Sequence, residues 1–136
     1  MQWADVSKWE TEKPLPLFVR DLKSAGQLRG FVIHNETGMD MALNFAAHGV
    51  QTAEGFDLHM IQICKPEKAA ASLQLDPERS PLMPKFVTVF SRNGRTQVRF
   101  LSYNRPMIES LCGDAAFADS LAESYAAIRG MIEGAL

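Results

Sequence analysis

The dipeptide Asn93-Gly94 constrains this chain more than any other feature. Both residue types accept positive φ, and they stand between two strand-like runs, Lys85 to Arg92 and Arg95 to Tyr103. That arrangement specifies a β-hairpin closed by a two-residue turn of type I′. Such a turn fixes the register: Ser91 opposes Thr96, Val89 opposes Val98, and Val87 opposes Phe100. Val87, Val89, Val98 and Phe100 then share one face, which is assigned to the core. The other face carries Phe86, Thr88, Phe90, Gln97, Arg99, Leu101 and Tyr103 and is mixed.

A core face on a sheet needs a cover. Asp114 is placed to cap a long helix running to about Glu133, after a turn at Arg105-Pro106 that leads past Cys112. Phe117, Leu121, Tyr125, Ile128 and Ile132 recur at helical spacing and form one apolar stripe, which suits the valine face of the hairpin. Gly130 weakens the last turn by about 1 kcal/mol relative to Ala, so some fraying is expected there.

Earlier in the chain the signals are shorter. Residues 1 to 13 are polar with two tryptophans, and the alternation Trp3, Asp5, Ser7, Trp9 is too mixed to define a strand. Pro14 and Pro16 precede a helix from Leu17 to Ala25, closed by Gly26 and the turn at Gly30. Phe31-Val32-Ile33 reads as a short strand before the turn Asn35-Glu36-Thr37-Gly38. Met39 to Ala47 has helical spacing, and Gly49 stops it. Phe56 to Ile63 reads as a strand apolar on both faces, hence interior to its sheet. Pro66 opens a helix through Ala69 and Leu73 that ends at Asp76-Pro77.

The chain's 136 residues suit one domain, 1–136, large enough to fold without staples. Fourteen basic residues against sixteen acidic ones lack the basic excess of nucleic-acid binders, so nucleic acid is not expected as a partner. No apolar run has the length of a membrane span and no signal peptide is visible, which points to a soluble protein of the cytoplasm. Two cysteines, Cys64 and Cys112, are too few for a disulfide framework, and both are expected to be reduced and unjoined. Phosphate-binding glycine loops, paired-cysteine zinc motifs and serine-nucleophile elbows are lacking.

Two readings of Cys64 stand side by side. It closes a strand just before a helix N-terminus, a place that favours thiolate and hence nucleophilic or ligand chemistry. It is also a small residue of a type that is often simply buried. A metal site is not expected. His59 and Cys64 are five apart on one strand, so they face opposite ways and lie roughly 17 Å apart. His34 and His48 sit near element ends. The arginines Arg92, Arg95, Arg99 and Arg105 gather at the hairpin, where a solvated sheet face explains them better than an anionic partner does.

From about Gly30 to Met107 the chain resembles a family described as domain of unknown function 302. The resemblance rests on Gly30-Phe31-Val32 and Ile63-Cys64-Lys65-Pro66, with Ala69 and Leu73 behind. It continues through Asp76, Leu82-Met83-Pro84, Val87-Thr88-Val89-Phe90, Gly94 and Asn104. It implies an α+β fold, a curved antiparallel sheet with helices packed on one face, TATA-binding-protein-like. Many members of that family carry a second cysteine directly after the Met-Pro pair, where this chain has Lys85. If the family's chemistry needs two thiols, it is lost here, while a single thiol beside a lysine is still able to act as a thiolate; the change equally fits a second position that was never catalytic.

The expected function is a small homo-oligomeric accessory domain that binds a ligand or partner, with no cofactor. The alternative is thiol-dependent sulfur transfer or redox chemistry through Cys64. The residues assigned to ligand binding are Cys64, Lys85, Tyr103 and Asn104; no catalytic residue is assigned beyond the candidate thiol. A homodimer is expected through the mixed sheet face, where Phe86, Phe90, Leu101 and Tyr103 together offer on the order of 6 kcal/mol of transfer energy before association costs.

Overall fold

Asn93 (φ 55°) and Gly94 (φ 72°) both adopt the left-handed conformation that the hairpin requires. They join β4 (Phe86–Arg92) to β5 (Arg95–Tyr103), with Val89 opposite Val98 and Val87 opposite Phe100. All four side chains are fully buried. The computed structural model describes residues 2–136. Around the hairpin it places β1 (Ala4–Thr11), α1 (Leu15–Gln27), β2 (Val32–Ile33) and α2 (Met41–Ala47). Next come β3 (Leu58–Cys64), α3 (Pro66–Leu75) and a 3-10 segment (Pro77–Leu82); α4 (Arg105–Cys112) and α5 (Ala115–Ala135) follow the hairpin. The sheet has five strands in the order β1-β5-β4-β3-β2, every pair antiparallel.

Helix α5 lies against the core face as its spacing predicts. Phe117, Leu121, Tyr125, Ile128 and Ile132 are all buried, and the helix runs through Gly130 to Ala135. Asp114 caps it by accepting from the Phe117 amide at 3.0 Å. Beside it lies α1, with Leu15, Phe18, Val19 and Leu22 buried. The two helices meet closely at Gly26, where a Cβ would stand 2.8 Å from the end of the Met131 side chain. Strand β3 has its expected two apolar faces: Ile61 and Ile63 are buried, Leu58 and Met60 half-buried.

The N-terminal segment, too mixed to define a strand from sequence, pairs along the whole of β5 from Ala4↔Tyr103 to Thr11↔Thr96. Its helix-side face is mixed: Trp9 packs against the core, while the serine on that face has a polar partner. Ser7 lies opposite Phe100 and Asp5 opposite Ser102, and Arg129 of α5 donates to the hydroxyls of Ser102 (2.6 Å) and Ser7 (3.3 Å). A strand that faces a guanidinium carries serine where an ordinary core strand carries valine.

Other boundaries shift modestly. Helix α1 takes in Leu15 and Pro16, since proline is tolerated in a first turn. Asp40 caps α2, so the helix starts at Met41 and not at Met39. Cys112 is not in a turn: Asn104 caps a helix over Arg105–Cys112, with Pro106 in its first turn, and Gly113 (φ 62°) ends it. Here the Arg-Pro pair starts a helix.

The open face of the sheet is less apolar than its sequence suggests. The guanidinium groups of Arg92 (5.1 Å) and Arg99 (5.3 Å) both lie over the Phe90 ring. Phe86, Phe90 and Tyr103 are half-buried, whereas Leu101 (48% exposed) and Val6 (46%), cross-strand partners, stand out. Among the described residues no helix is long and apolar enough to cross a membrane.

Candidate functional site

Strand β3 ends at Cys64, paired with Val32 on one side. On the other, the Ile63 amide donates to the Lys85 carbonyl at 2.9 Å, which sets Lys85 beside the end of β3. Pro66 then turns the chain into α3, whose residues Lys68, Ala69, Ser72 and Leu73 share one helical face. Across from it stands the face of α5 bearing Phe117, Ser120, Leu121 and Ser124, and the two helices with the end of the sheet border a half-open cavity of about 220 Å³. Phe31 and Ile63 contribute apolar surface, Ser80, Met83, Pro84 and Lys85 form a second wall, and His34, Gln62, Cys64 and Lys65 complete the lining. The volume is below the roughly 300 Å³ at which drug-sized sites begin, so the cavity suits a small molecule.

Three lysines line it, Lys65, Lys68 and Lys85, and no aspartate or glutamate does. Lys68 donates to the Ser120 carbonyl (2.9 Å) and the Ser124 hydroxyl (2.8 Å). Lys85 donates to the Met83 carbonyl at 3.0 Å. Among the described residues neither forms an ion pair. Burial pushes the Lys85 ammonium below the ordinary lysine range; negative charge on Cys64 opposes this and the Lys68 ammonium adds to it. Burial also lowers Lys68, against the attraction of Glu123, which lines an adjoining groove. Lys65 extends across Gly30 to reach 5.5 Å above the Phe31 ring. Gly30 (φ 80°) makes this possible, because a Cβ there would approach the Lys65 side chain to 3.2 Å.

The family's sequence profile, domain of unknown function DUF302, matches residues 8–135. The chain belongs to this family. A solved structure described as the uncharacterized conserved protein DUF302 from Bacillus stearothermophilus is similar, with a TM-score of 0.77 at 14% identity over 96% of this chain and 98% of that one. At that identity the likeness shows the fold. Among curated proteins none matches.

Of the residues assigned from sequence, this DUF302 domain brings Cys64 and Lys85 to one cavity. Tyr103 and Asn104 do not line it. Tyr103 pairs with Ala4 at the end of β5. Asn104 caps α4 by accepting from Met107 (3.0 Å), and its amide donates to the Gln2 carbonyl. Both cysteines are free. Cys112 lies away from the cavity, where burial first and the carboxylates of Asp76, Asp114 and Glu78 after it push its thiol up, against the opposing charge of Arg79. His59 pairs with Val89 on the core face, opposite to Cys64, and among the described residues no group of three metal-ligating side chains occurs. Sequence reasoning did not single out Lys68, Ser72, Ser120 or Ser124. The signal was present on α5, where Ser120 and Ser124 run beside the stripe of Phe117 and Leu121 at the same helical spacing.

Proposed function

We propose that this chain is an accessory binding domain whose cavity takes a small anion with a short apolar body. The observation that carries this reading is the imbalance of the cavity: three lysines and no carboxylate in its lining. Lys68 and Lys85 are half-buried and Lys65 is exposed, so their positive charge is only partly screened by water, and a bound carboxylate or phosphate supplies a counter-charge inside the cavity. The apolar side chains Phe31, Ile63, Leu73, Met83, Phe117 and Leu121 would hold the rest of the ligand. The test is a panel of short carboxylates and phosphate esters followed by thermal unfolding. A ligand present at 100 times its dissociation constant adds about 2.7 kcal/mol to stability. Failure of every anion to raise the midpoint, or equal responses in the Lys68→Gln and Lys85→Gln variants, would refute the reading.

A second reading is thiol chemistry at Cys64, such as sulfur transfer or redox exchange. It is favoured by the placement of Lys85, whose amine shares the cavity wall with the thiol. Alkylation of Cys64 in the Lys85→Met variant tests it: equal rates with and without the ammonium rule it out.

We further infer that two copies associate through the open sheet face, around Leu101 and Val6, and that the protein works in the cytoplasm. A self-complementary patch is the commonest route to a symmetric dimer. In the same spirit we read the antiparallel sheet with its helix-covered face as TATA-binding-protein-like.

A further inference from the structure

The two amines of the cavity are not equivalent. Lys68 is held by two acceptors, the Ser120 carbonyl and the Ser124 hydroxyl, and so points as a fixed cationic donor. Lys85 has a single acceptor, the Met83 carbonyl. Its backbone is bonded to Ile63, the neighbour of Cys64, so its amine is anchored at the end of the sheet while Lys68 stands on α3. One small ligand bound between them meets a charge clamp on one side and a nitrogen nucleophile on the other.

We propose that the anion is a small carbonyl acid of the 2-oxo type, its carboxylate held at Lys68 and its keto carbon captured reversibly by Lys85 as an imine. The proposal rests on the anion-binding reading above and deepens it. The neutral Lys85 amine attacks the carbonyl carbon with its lone pair, the C=O π pair moves to oxygen, and a proton passes from nitrogen to that oxygen to give a carbinolamine. Loss of the hydroxyl group with one further proton releases water and leaves the C=N bond. No oxidant or reductant enters, and hydrolysis reverses the sequence. Two features support this chemistry over plain ion pairing. Burial and the neighbouring Lys68 charge loosen the proton on Lys85, which frees the lone pair, while the apolar lining disfavours the water that would hydrolyse the imine. A simple carboxylate makes no use of either.

The experiment treats the full chain with pyruvate and sodium borohydride and maps the adduct by mass spectrometry. In parallel, binding of pyruvate and of lactate, its reduced partner without the carbonyl, is followed by ligand-observed NMR. The expected result is one reduced adduct, on Lys85, with lactate binding but giving none. The Lys85→Arg variant should still bind lactate yet lose the adduct at least tenfold; Lys68→Gln should keep the site of the adduct but need more pyruvate to saturate it. Binding of both acids with no adduct in the unmodified chain overturns the imine and leaves the anion reading standing. Adducts spread evenly over exposed lysines overturn it equally. If neither acid binds and no adduct forms, this inference fails for 2-oxo acids, and the broader panel of anions decides the anion reading separately.

Discussion

Arg79, in the 3-10 segment, is ion-paired with Asp114, the N-cap of α5, and its guanidinium lies 5.1 Å from the Phe117 ring. Arg79 also donates to the Ser72 hydroxyl of α3 at 2.9 Å. One side chain therefore ties together three elements that wall the cavity.

Asp114 should give the protein an acid-sensitive joint. The backbone bond from Phe117 first, and Arg79 second, hold its carboxyl below the usual carboxylate range. A depressed acid stabilises the fold above its unfolded pKa, and that contribution disappears as pH falls through the folded value. The Asp114→Asn variant should keep the cap, lose the ion pair and show a shallower loss of stability in acid, read from urea midpoints between about pH 3 and about pH 7.

Lys85 should act in the opposite sense. Its folded pKa is lowered, so between that value and about 10.4 the unfolded chain binds more protons and stability rises with pH. In the ligand-free protein, Lys85→Met is therefore expected to be more stable at neutral pH, with the advantage shrinking towards about pH 10. Equal pH slopes for the two proteins would contradict this.

Neighbouring residues on β3 should respond very differently to truncation. Ile61 is fully buried on the helix side, whereas Met60 faces the open side and is half-buried. Ile61→Ala is expected to cost about 2–5 kcal/mol and Met60→Ala at least about 1 kcal/mol less, by urea denaturation.

The two thiols should separate by alkylation. Cys112 should react slowly at neutral pH and speed up only well into the alkaline range, because its thiol is pushed up. Cys64, in the wall of the cavity, should be protected by any ligand that fills it. Protection of Cys112 in place of Cys64 would move the site.

Self-association should depend on the exposed cross-strand pair. Sedimentation at micromolar concentration is expected to give a dimer, and Leu101→Asp a folded monomer. A monomeric unmodified protein would end the dimer proposal.

The hairpin could be read to the residue because one turn type and strict alternation fix both register and sidedness. The α5 stripe was equally plain. Strand β1 escaped because Ser7 stands on the helix-side face, with the exposed Asp5 beside it, which breaks the expected alternation; the cause at Ser7, Arg129, lies on a helix at the other end of the chain. Helix α4 escaped because Arg105-Pro106 looks like a stop, although proline serves equally well in a first turn. For the site, Cys64 is marked by its place before a helix N-terminus and Lys85 by family likeness, but their shared cavity needed β3 and β4 to be paired. Lys68 looked like any surface lysine on a short helix until α5 was set against it.

The pairing of β1 with β5 has a consequence for synthesis. As the polypeptide leaves the ribosome, Trp9 emerges long before Val98, its partner across the ladder. The sheet's outer strand, and α1 with it, must wait for α5 before their apolar surfaces are covered. Closure of so long a loop is slow, and it leaves the nascent chain exposed to aggregation until the last helix has been made. Recovery of folded protein should therefore depend more on what shelters the nascent chain than on the stability of the finished domain.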